Sequence, residues 1–438
     1  MNIAIISLGC TKNQVDTEIM QGLLLKAGHN LVDSRDLADI ILVNTCGFIE
    51  AAKAESIEAI LTAARYKSGR CRVLVVAGCL SQRYATELMA ELPEIDALVG
   101  TNTLQHVVAA IDEVLAGGRP LYVDDAQYDY RDILERNTTL HHSVYVKIAE
   151  GCDNRCSYCA IPIIRGNFRS RPMEQIELEV RSLAHKGARE INLIAQDTSR
   201  YGMDSYGHLA LPKLLRKLLT VEGPQWFRLL YCYPAHITDE LIALMAEDDR
   251  LLNYVDLPLQ HISQPILTAM GRRGTADEIS RLIVRLRERV PGIVIRTTFI
   301  VGFPGETAAD FDILYDFVEK TRFDHVGVFK YSREDGTAAF DMSDQVDEDV
   351  KEQRFHELMS LQRDISAEKN REYLGQIIPV LLERSWIAGN GMIGRAIKDA
   401  PDVDGRVYVS NVSAKVGDIV PVRIARTGDY DLWGGYEQ

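Results

Sequence analysis

The chain has 438 residues, enough for about three domains at ~150 residues each. Hydrophobic residues make up 46% and charged residues 26%, which excludes a disordered or fibrous protein. Lys and Arg number 49 against 63 Asp and Glu, and the net −14 argues against non-specific binding of the whole chain to nucleic acid or anionic membrane.

No apolar run approaches the ~20 residues of a membrane span. The opening MNIAIISLGC lacks a positively charged start and reads as a buried first strand, so a cytoplasmic protein is expected. From there to residue 117, short apolar runs (Asn2–Leu8, Ile40–Val43, Arg72–Ala77, Ala97–Val99) alternate with amphipathic stretches such as Thr17–Ala27 and Ala51–Tyr66. Fully apolar strands between helices predict a flavodoxin-like α/β domain with a parallel sheet covered on both faces. Residues 118–142 are polar and acidic without a sustained period and read as a linker.

The alternation restarts over residues 143–369. Runs at Val144–Ala149, Ile191–Ala195, Phe227–Cys232, Tyr254–Leu259, Ile293–Val301 and His325–Tyr331 are separated by helical stretches, among them Met173–Lys186, Leu211–Thr220, Ala276–Arg289 and Thr307–Lys320. Six such units are too few for a closed eight-stranded barrel and predict an open (β/α)6 partial barrel, closed by a charged helix over Glu348–Glu372. Residues 370–438 change character. Short strands at Ile377–Leu382, Met392–Ile397, Val407–Ser410 and Ile419–Ile424, punctuated by Gly, Asn and Asp, predict a small antiparallel barrel.

Eight cysteines are too few for a disulfide scaffold, and their placement points instead to metal or redox chemistry. Cys152, Cys156 and Cys159 share one loop after the strand Val144–Ala149, spaced C-x3-C-x2-C. Three thiolates can hold three irons of a [4Fe–4S] cluster and leave the fourth open for a small ligand. Zinc is the rival, but a structural zinc wants four ligands and no histidine stands at finger spacing. Cys10, Cys46 and Cys79 are far apart in sequence, yet each follows the carboxyl end of an apolar run. In a parallel sheet those ends share one rim, where ligands bind. Three buried structural cysteines are the plain alternative. Cys71 and Cys232 have no partner of this kind and read as structural.

A C-x3-C-x2-C loop after the first strand of a six-unit barrel resembles the radical S-adenosylmethionine (SAM) superfamily. That resemblance implies SAM chelated on the open iron and split to a 5′-deoxyadenosyl radical that abstracts hydrogen. Tyr158 stands where the family usually carries an aromatic for the adenine side. Gln196 and Asp197 end the second strand, where the superfamily places polar groups that meet the SAM amino group, and Gln260 ends the fourth beside His261, which reads as structural. Gly302, Gly305 and Glu306 end the fifth and resemble the adenine-contact segment; the plain alternative is a turn with Glu306 as an early helix acid.

Two cysteine triads followed by a small barrel resemble the methylthiotransferases over essentially the whole chain: an N-terminal cluster domain, a radical SAM core and an OB-like TRAM domain. Ser7–Glu18 (SLGCTKNQVDTE), Ala195–Thr198, Asp256–His261 and Asp429–Gly434 look like the branch that modifies a ribosomal protein (RimO type). The six ligand cysteines show no departure, and Gln14 stands where leucine is frequent. The resemblance implies methylthiolation of an aspartyl β-carbon in small-subunit ribosomal protein twelve, with two SAM and two [4Fe–4S] clusters. One cluster would be held by Cys152, Cys156 and Cys159, and the sulfur-bearing one by Cys10, Cys46 and Cys79. It also implies an external electron donor and a sulfur source or carrier. A tRNA adenosine methylthiotransferase and a non-catalytic iron–sulfur electron carrier are the alternatives. Residues 370–438 carry eight Lys/Arg and nine Asp/Glu, a net of −1, so nucleic-acid binding is not favoured there. The terminal barrel, with Trp433 among acids, is expected to dock a basic protein and to be removable without loss of SAM cleavage.

Overall fold

The computed structural model describes residues 1–124, 136–138, 142–386 and 391–437. The chain forms two compact units: Met1–Thr139 with Tyr145–Glu179 and Ser332–Phe340, and Leu140–Val144 with Val180–Tyr331 and Asp341–Gln438. Most of the predicted linker lies outside the described residues.

In the first unit a six-stranded sheet runs in the order Asn30–Leu31, Asn2–Ser7, Ile40–Thr45, Val73–Gly78, Ala97–Val99 and Leu121–Tyr122, with every pair parallel. Ile40–Thr45 and Val73–Gly78 are buried at every position, as strands covered on both faces must be. One face packs Ile3, Leu42, Val75 and Val99 on Met20 and Ile111; the other packs Ile41, Val43, Leu74 and Val76 on Ile60 and Leu88. The last strand, Leu121–Tyr122, falls where the sequence reads as linker. It is too short to show a period, and its backbone pairs with Leu98 and Val99. The first helix begins at Thr11, earlier than the pattern suggested, because Asn13, Asp16 and Thr17 are polar yet buried.

The second unit is built on a parallel sheet ordered His325–Lys330, Val294–Val301, Leu251–Gln260, Trp226–Leu229, Glu190–Ile194 and Ser143–Lys147, whose last strand begins in this unit. It is the open (β/α)6 arrangement, with helices such as Ala276–Arg289 and Ala308–Thr321 between strands. Both of those helices start in complete capping boxes, Thr275 with Glu278 and Thr307 with Asp310. Asp310, not Glu306, is therefore the early helix acid.

Residues from Ile377 onward close a five-stranded barrel around Val380, Leu382, Val407, Val409, Val422 and Ile424. Its fifth strand, Leu432–Tyr436, pairs parallel with Val407–Ser410 while the other seams are antiparallel. Among the described residues no helix is long and apolar enough to cross a membrane.

The barrel is not a detachable module. Arg395 reaches out of it to the fully buried carboxylate of Glu190, which also accepts from Arg228 at 2.9 Å. Arg228 in turn donates to the Ile397 carbonyl, and Asp404 accepts from Tyr254 at 2.6 Å and from Arg296 at 3.3 Å. Removing the barrel would take Arg395 and Asp404 away from these buried partners. Nor does the Trp433 ring stand free: it stacks on Tyr408 at 5.3 Å, with the Arg426 guanidinium 3.9 Å from its centroid.

Candidate functional site

Cys10 caps the helix Thr11–Lys26, Cys46 follows Ile40–Thr45, and Cys79 opens the short helix after Val73–Gly78. The repeated strand-then-thiol pattern brings all three to one rim of the sheet. Cys10 is exposed while Cys46 and Cys79 are buried. Burial pushes the Cys46 thiol up to about 12, and Cys79 and then Cys10 add to it, which is what thiols facing one another do. The packing leaves no slack. Gly78 has φ +98°, and a Cβ there would meet the Asn44 amide oxygen at 2.3 Å.

The second loop lies in the same unit. Gly151 (φ +79°) precedes Cys152, and a Cβ at Gly151 would strike the Asn167 carbonyl at 2.1 Å. The Cys159 N–H donates to the Cys156 carbonyl at 3.0 Å, and Arg155 takes the left-handed conformation at φ 48°. Cys152 is buried; Cys156, Tyr158 and Cys159 are half-buried. The segment Ser332–Phe340 pins this loop, because Ala339 N–H donates to the Ser157 carbonyl at 2.8 Å. Glu334 of that segment is buried and pairs with Arg83 at 2.7 Å and Lys53 at 3.2 Å, while Arg83 also donates to Gly47 beside Cys46.

A charged cluster joins the two loops. Arg165, at the end of the helix Ile161–Arg165 after the second triad, donates to Asp16 at 2.8 Å, Asn13 at 2.7 Å and the Cys79 sulfur at 3.4 Å. Lys147 bridges Asp16 and Glu150 at 2.5 and 2.6 Å. Burial works against the Arg165 charge, but Asp16, Cys79 and Glu150 outweigh it and hold the guanidinium protonated. Burial likewise pushes the Cys79 thiol up, and Arg165 opposes that push.

Both triads fit iron–sulfur clusters by their donor chemistry. Among the described residues no three His, Cys, Asp or Glu side chains close on a single metal ion. A four-iron cluster spreads its thiolates over a cuboid instead of gathering them on one ion, and three thiolates suit three of its irons. The buried cation against Cys79 suits an anionic group there. Cys71 and Cys232 are buried, with burial pushing both thiols up, and stand in neither triad.

In the second unit the remaining predicted residues lie at the carboxyl ends of strands. Gln260 ends Leu251–Gln260 with φ 74°, and its Oε1 is buried without a hydrogen-bond partner among the described residues. A left-handed backbone at a non-glycine residue with an unmet buried acceptor is a ligand-facing pattern. Asp197 instead has its carboxylate engaged by Arg200 N–H, Ser199 and His236; Gln196, before it, is half-buried. Gly302 (φ +71°) is required by its neighbours, since a Cβ would meet Lys351 at 2.2 Å, whereas Gly305 (φ +81°) opens onto free space. Glu306 is buried, accepts from Arg354 at 2.9 Å and Phe303 N–H at 3.1 Å, and is raised to about 7 by burial against the pull of Arg354. His261 accepts from Ser263 N–H at 2.9 Å, and burial lowers it to about 4, so it is a neutral structural histidine. Asn13, Asp16, Arg165 and Glu334 carry no cysteine-like signal, and sequence reasoning passed over their roles. The one hint was that Asn13 and Asp16 follow Cys10 at the i+3 and i+6 positions of one helix face.

Residues 2–100 match the uncharacterized protein family UPF0004, residues 146–318 the radical SAM superfamily, and residues 374–436 the TRAM domain. The ribosomal protein uS12 methylthiotransferase RimO of Heliobacterium modesticaldum is 50% identical over 99% of this chain and 95% of its own length. The chain belongs to the RimO family. The RimO proteins of Desulforamulus reducens and Geobacter sulfurreducens are 49% and 48% identical, covering 100% and 99% of this chain and 100% and 98% of their own lengths. The radical SAM methyltransferase TsrM of Kitasatospora setae, solved with cobalamin and a [4Fe–4S] cluster, superposes with a TM-score of 0.59 at 14% identity, over 90% of this chain and 80% of its own; it shares the fold. Radical SAM and RimO membership brings SAM and [4Fe–4S] clusters as cofactors, and makes the chain a radical SAM methylthiotransferase.

Proposed function

We propose that this chain methylthiolates the β-carbon of one aspartyl residue in ribosomal protein uS12. The observation that carries the reading is the pair of cysteine triads built into a single compact unit, on a chain about half identical to RimO proteins throughout. We assign Cys152, Cys156 and Cys159 to the cluster that binds SAM, and Cys10, Cys46 and Cys79 to the one that holds sulfur. Once bound, these groups supply a hydrogen-abstracting radical and the sulfur that replaces the hydrogen. The chain's own part is to hold three thiols past the ends of adjacent strands and three on one loop, and keep a cation beside Cys79.

For SAM we assign Tyr158, Gln196, Asp197, Gln260, Gly302, Gly305 and Glu306. Gln260 and Gly305 have the best local support, an unmet buried acceptor and an open backbone approach. Asp197 acts through His236 and the turn it caps. Functionally the chain divides into residues 1–117, the linker 118–142, the core 143–369 and the TRAM domain 370–438. The reaction needs an external electron donor and a sulfur source or carrier, and it takes place in the cytoplasm where ribosomes are made.

Mass spectrometry of uS12 and of hydrolysed tRNA, from cells with and without the gene, tests the substrate. A methylthio increment lost from the aspartyl residue is expected. An increment lost from tRNA adenosine with uS12 unchanged would assign the chain to tRNA instead.

A further inference from the structure

Arg165 belongs by sequence to the loop of the second triad, six residues after Cys159, yet its guanidinium touches a ligand of the first. It is 1% exposed, and its two ends do different work. Nη1 faces Asp16 at 2.8 Å and Glu150 at 3.2 Å; Nη2 faces the Asn13 amide oxygen at 2.7 Å and the Cys79 sulfur at 3.4 Å. Asn13 is fixed in turn, because its amide donates to the carbonyls of Leu8 and Thr45, the residues that lead into Cys10 and Cys46. One guanidinium and one amide therefore reach the Cys79 sulfur and the carbonyls one residue before Cys46 and two before Cys10.

Resting on the reading that Cys10, Cys46 and Cys79 hold a cluster, we propose that Arg165 is a positioning residue that sets that cluster's reduction potential through its N–H···S contact with Cys79. Potentials of such clusters follow net charge and hydrogen bonds to the sulfurs. One-electron reduction adds a negative charge that a guanidinium on a ligand sulfur stabilises, so Arg165 raises the potential. Asp16 and Glu150, held on the far end, moderate it.

The test is an EPR redox titration, with dithionite and mediators, of the full-length protein carrying both clusters. Cys79→Ser identifies which of the two midpoints belongs to the first triad. The paired variant Arg165→Gln/Asp16→Asn removes both charges together and avoids stranding a carboxylate. It should lower the reduction equilibrium constant of that cluster about tenfold, ~59 mV for one electron. Asp16→Asn alone keeps Arg165 in place and removes a neighbouring anion, so it should move the same midpoint upward. The cluster of Cys152, Cys156 and Cys159 should shift less than twofold in both variants. Shifts in opposite directions are the signature that loosened packing cannot mimic. If the paired variant loses the cluster, Asp16→Asn alone decides, and a midpoint that stays or falls overturns the proposal. Two clusters present with both midpoints unmoved overturn it too. A wild-type protein with about four irons, none lost in Cys79→Ser, overturns the underlying cluster reading instead.

Discussion

Replacing Arg395 with Leu should destabilise the second unit, of which the terminal barrel is a part. Burial alone would push the Glu190 carboxyl up, but Arg395 first and Arg228 second hold it down at about 2. Against its ordinary 4.5 that is about 2.5 pH units, or ~3 kcal/mol of native-state stabilisation at neutral pH. Both partners are buried, so solvent screens little of it. Removing the larger contributor leaves a carboxylate with Arg228 alone, and breaking a buried pair costs ~3–5 kcal/mol. At ~2–4 °C per kcal/mol, the melting temperature of Arg395→Leu should fall by about 6–20 °C. The sign with pH follows: a depressed carboxyl gives stability above its unfolded value and loses it as pH falls from 4.5 toward 2. Wild type and Arg395→Leu should therefore converge in acid. Circular dichroism melts of the cluster-free protein at pH 7 and in steps below pH 4.5 measure both effects. Adding Glu190→Gln to Arg395→Leu should recover part of the loss, because the stranded charge is gone. A melting temperature within 2 °C of wild type at pH 7 would refute the reasoning.

Anaerobic reconstitution should give about eight irons per chain, falling to about four when Cys10, Cys46 and Cys79 are all replaced by Ala; an iron assay that shows no drop removes the first cluster. Cys156→Ala should abolish 5′-deoxyadenosine formation, whereas Cys46→Ala should retain some of it and make no methylthio product; full product from Cys46→Ala would end the sulfur assignment. Glu306 and His261 should nearly cancel in the pH dependence of stability. Glu306, raised to about 7, costs nothing below its ordinary 4.5 and up to ~3 kcal/mol once pH passes 7. His261, lowered to about 4, costs a similar ~3 kcal/mol below pH 4 and nothing above its ordinary 6.5. Urea unfolding of the cluster-free protein should be nearly flat for this pair between pH 4.5 and 6.5, rising with pH in Glu306→Gln and falling in His261→Asn; profiles that match wild type in both variants contradict it.

The elements legible in the sequence are those whose side chains report their surroundings. Ile40–Thr45 and Val73–Gly78 are apolar because both faces are covered, and the thiols stand where those strands end. The first helix starts earlier than its hydrophobic pattern suggests because Asn13, Asp16 and Thr17 turn inward toward Cys79, Arg165 and Ser7. Polar residues recruited to a site look like loop to any hydrophobicity pattern. The barrel's fifth strand escaped for another reason. Gly434 and Gly435 lower its strand propensity, while a Cβ at Gly434 would meet the Arg423 carbonyl at 2.4 Å, so close backbone approach selects against a better strand former. Glu334 could not be found at all, since nothing in the local sequence of Ser332–Phe340 points to Arg83 and Lys53.

That last pairing orders events during synthesis. Arg83 and Glu334 are separated by 251 residues, so at ~5–20 residues per second Glu334 leaves the ribosome about 10–50 s after its partner. Until then Arg83 lacks its carboxylate partner, Lys53 has Glu50 alone, and Ala339 is absent from Ser157. The surroundings of Gly47, beside Cys46, and of Ser157, in the second cysteine loop, are therefore completed only once Ser332–Phe340 has been made.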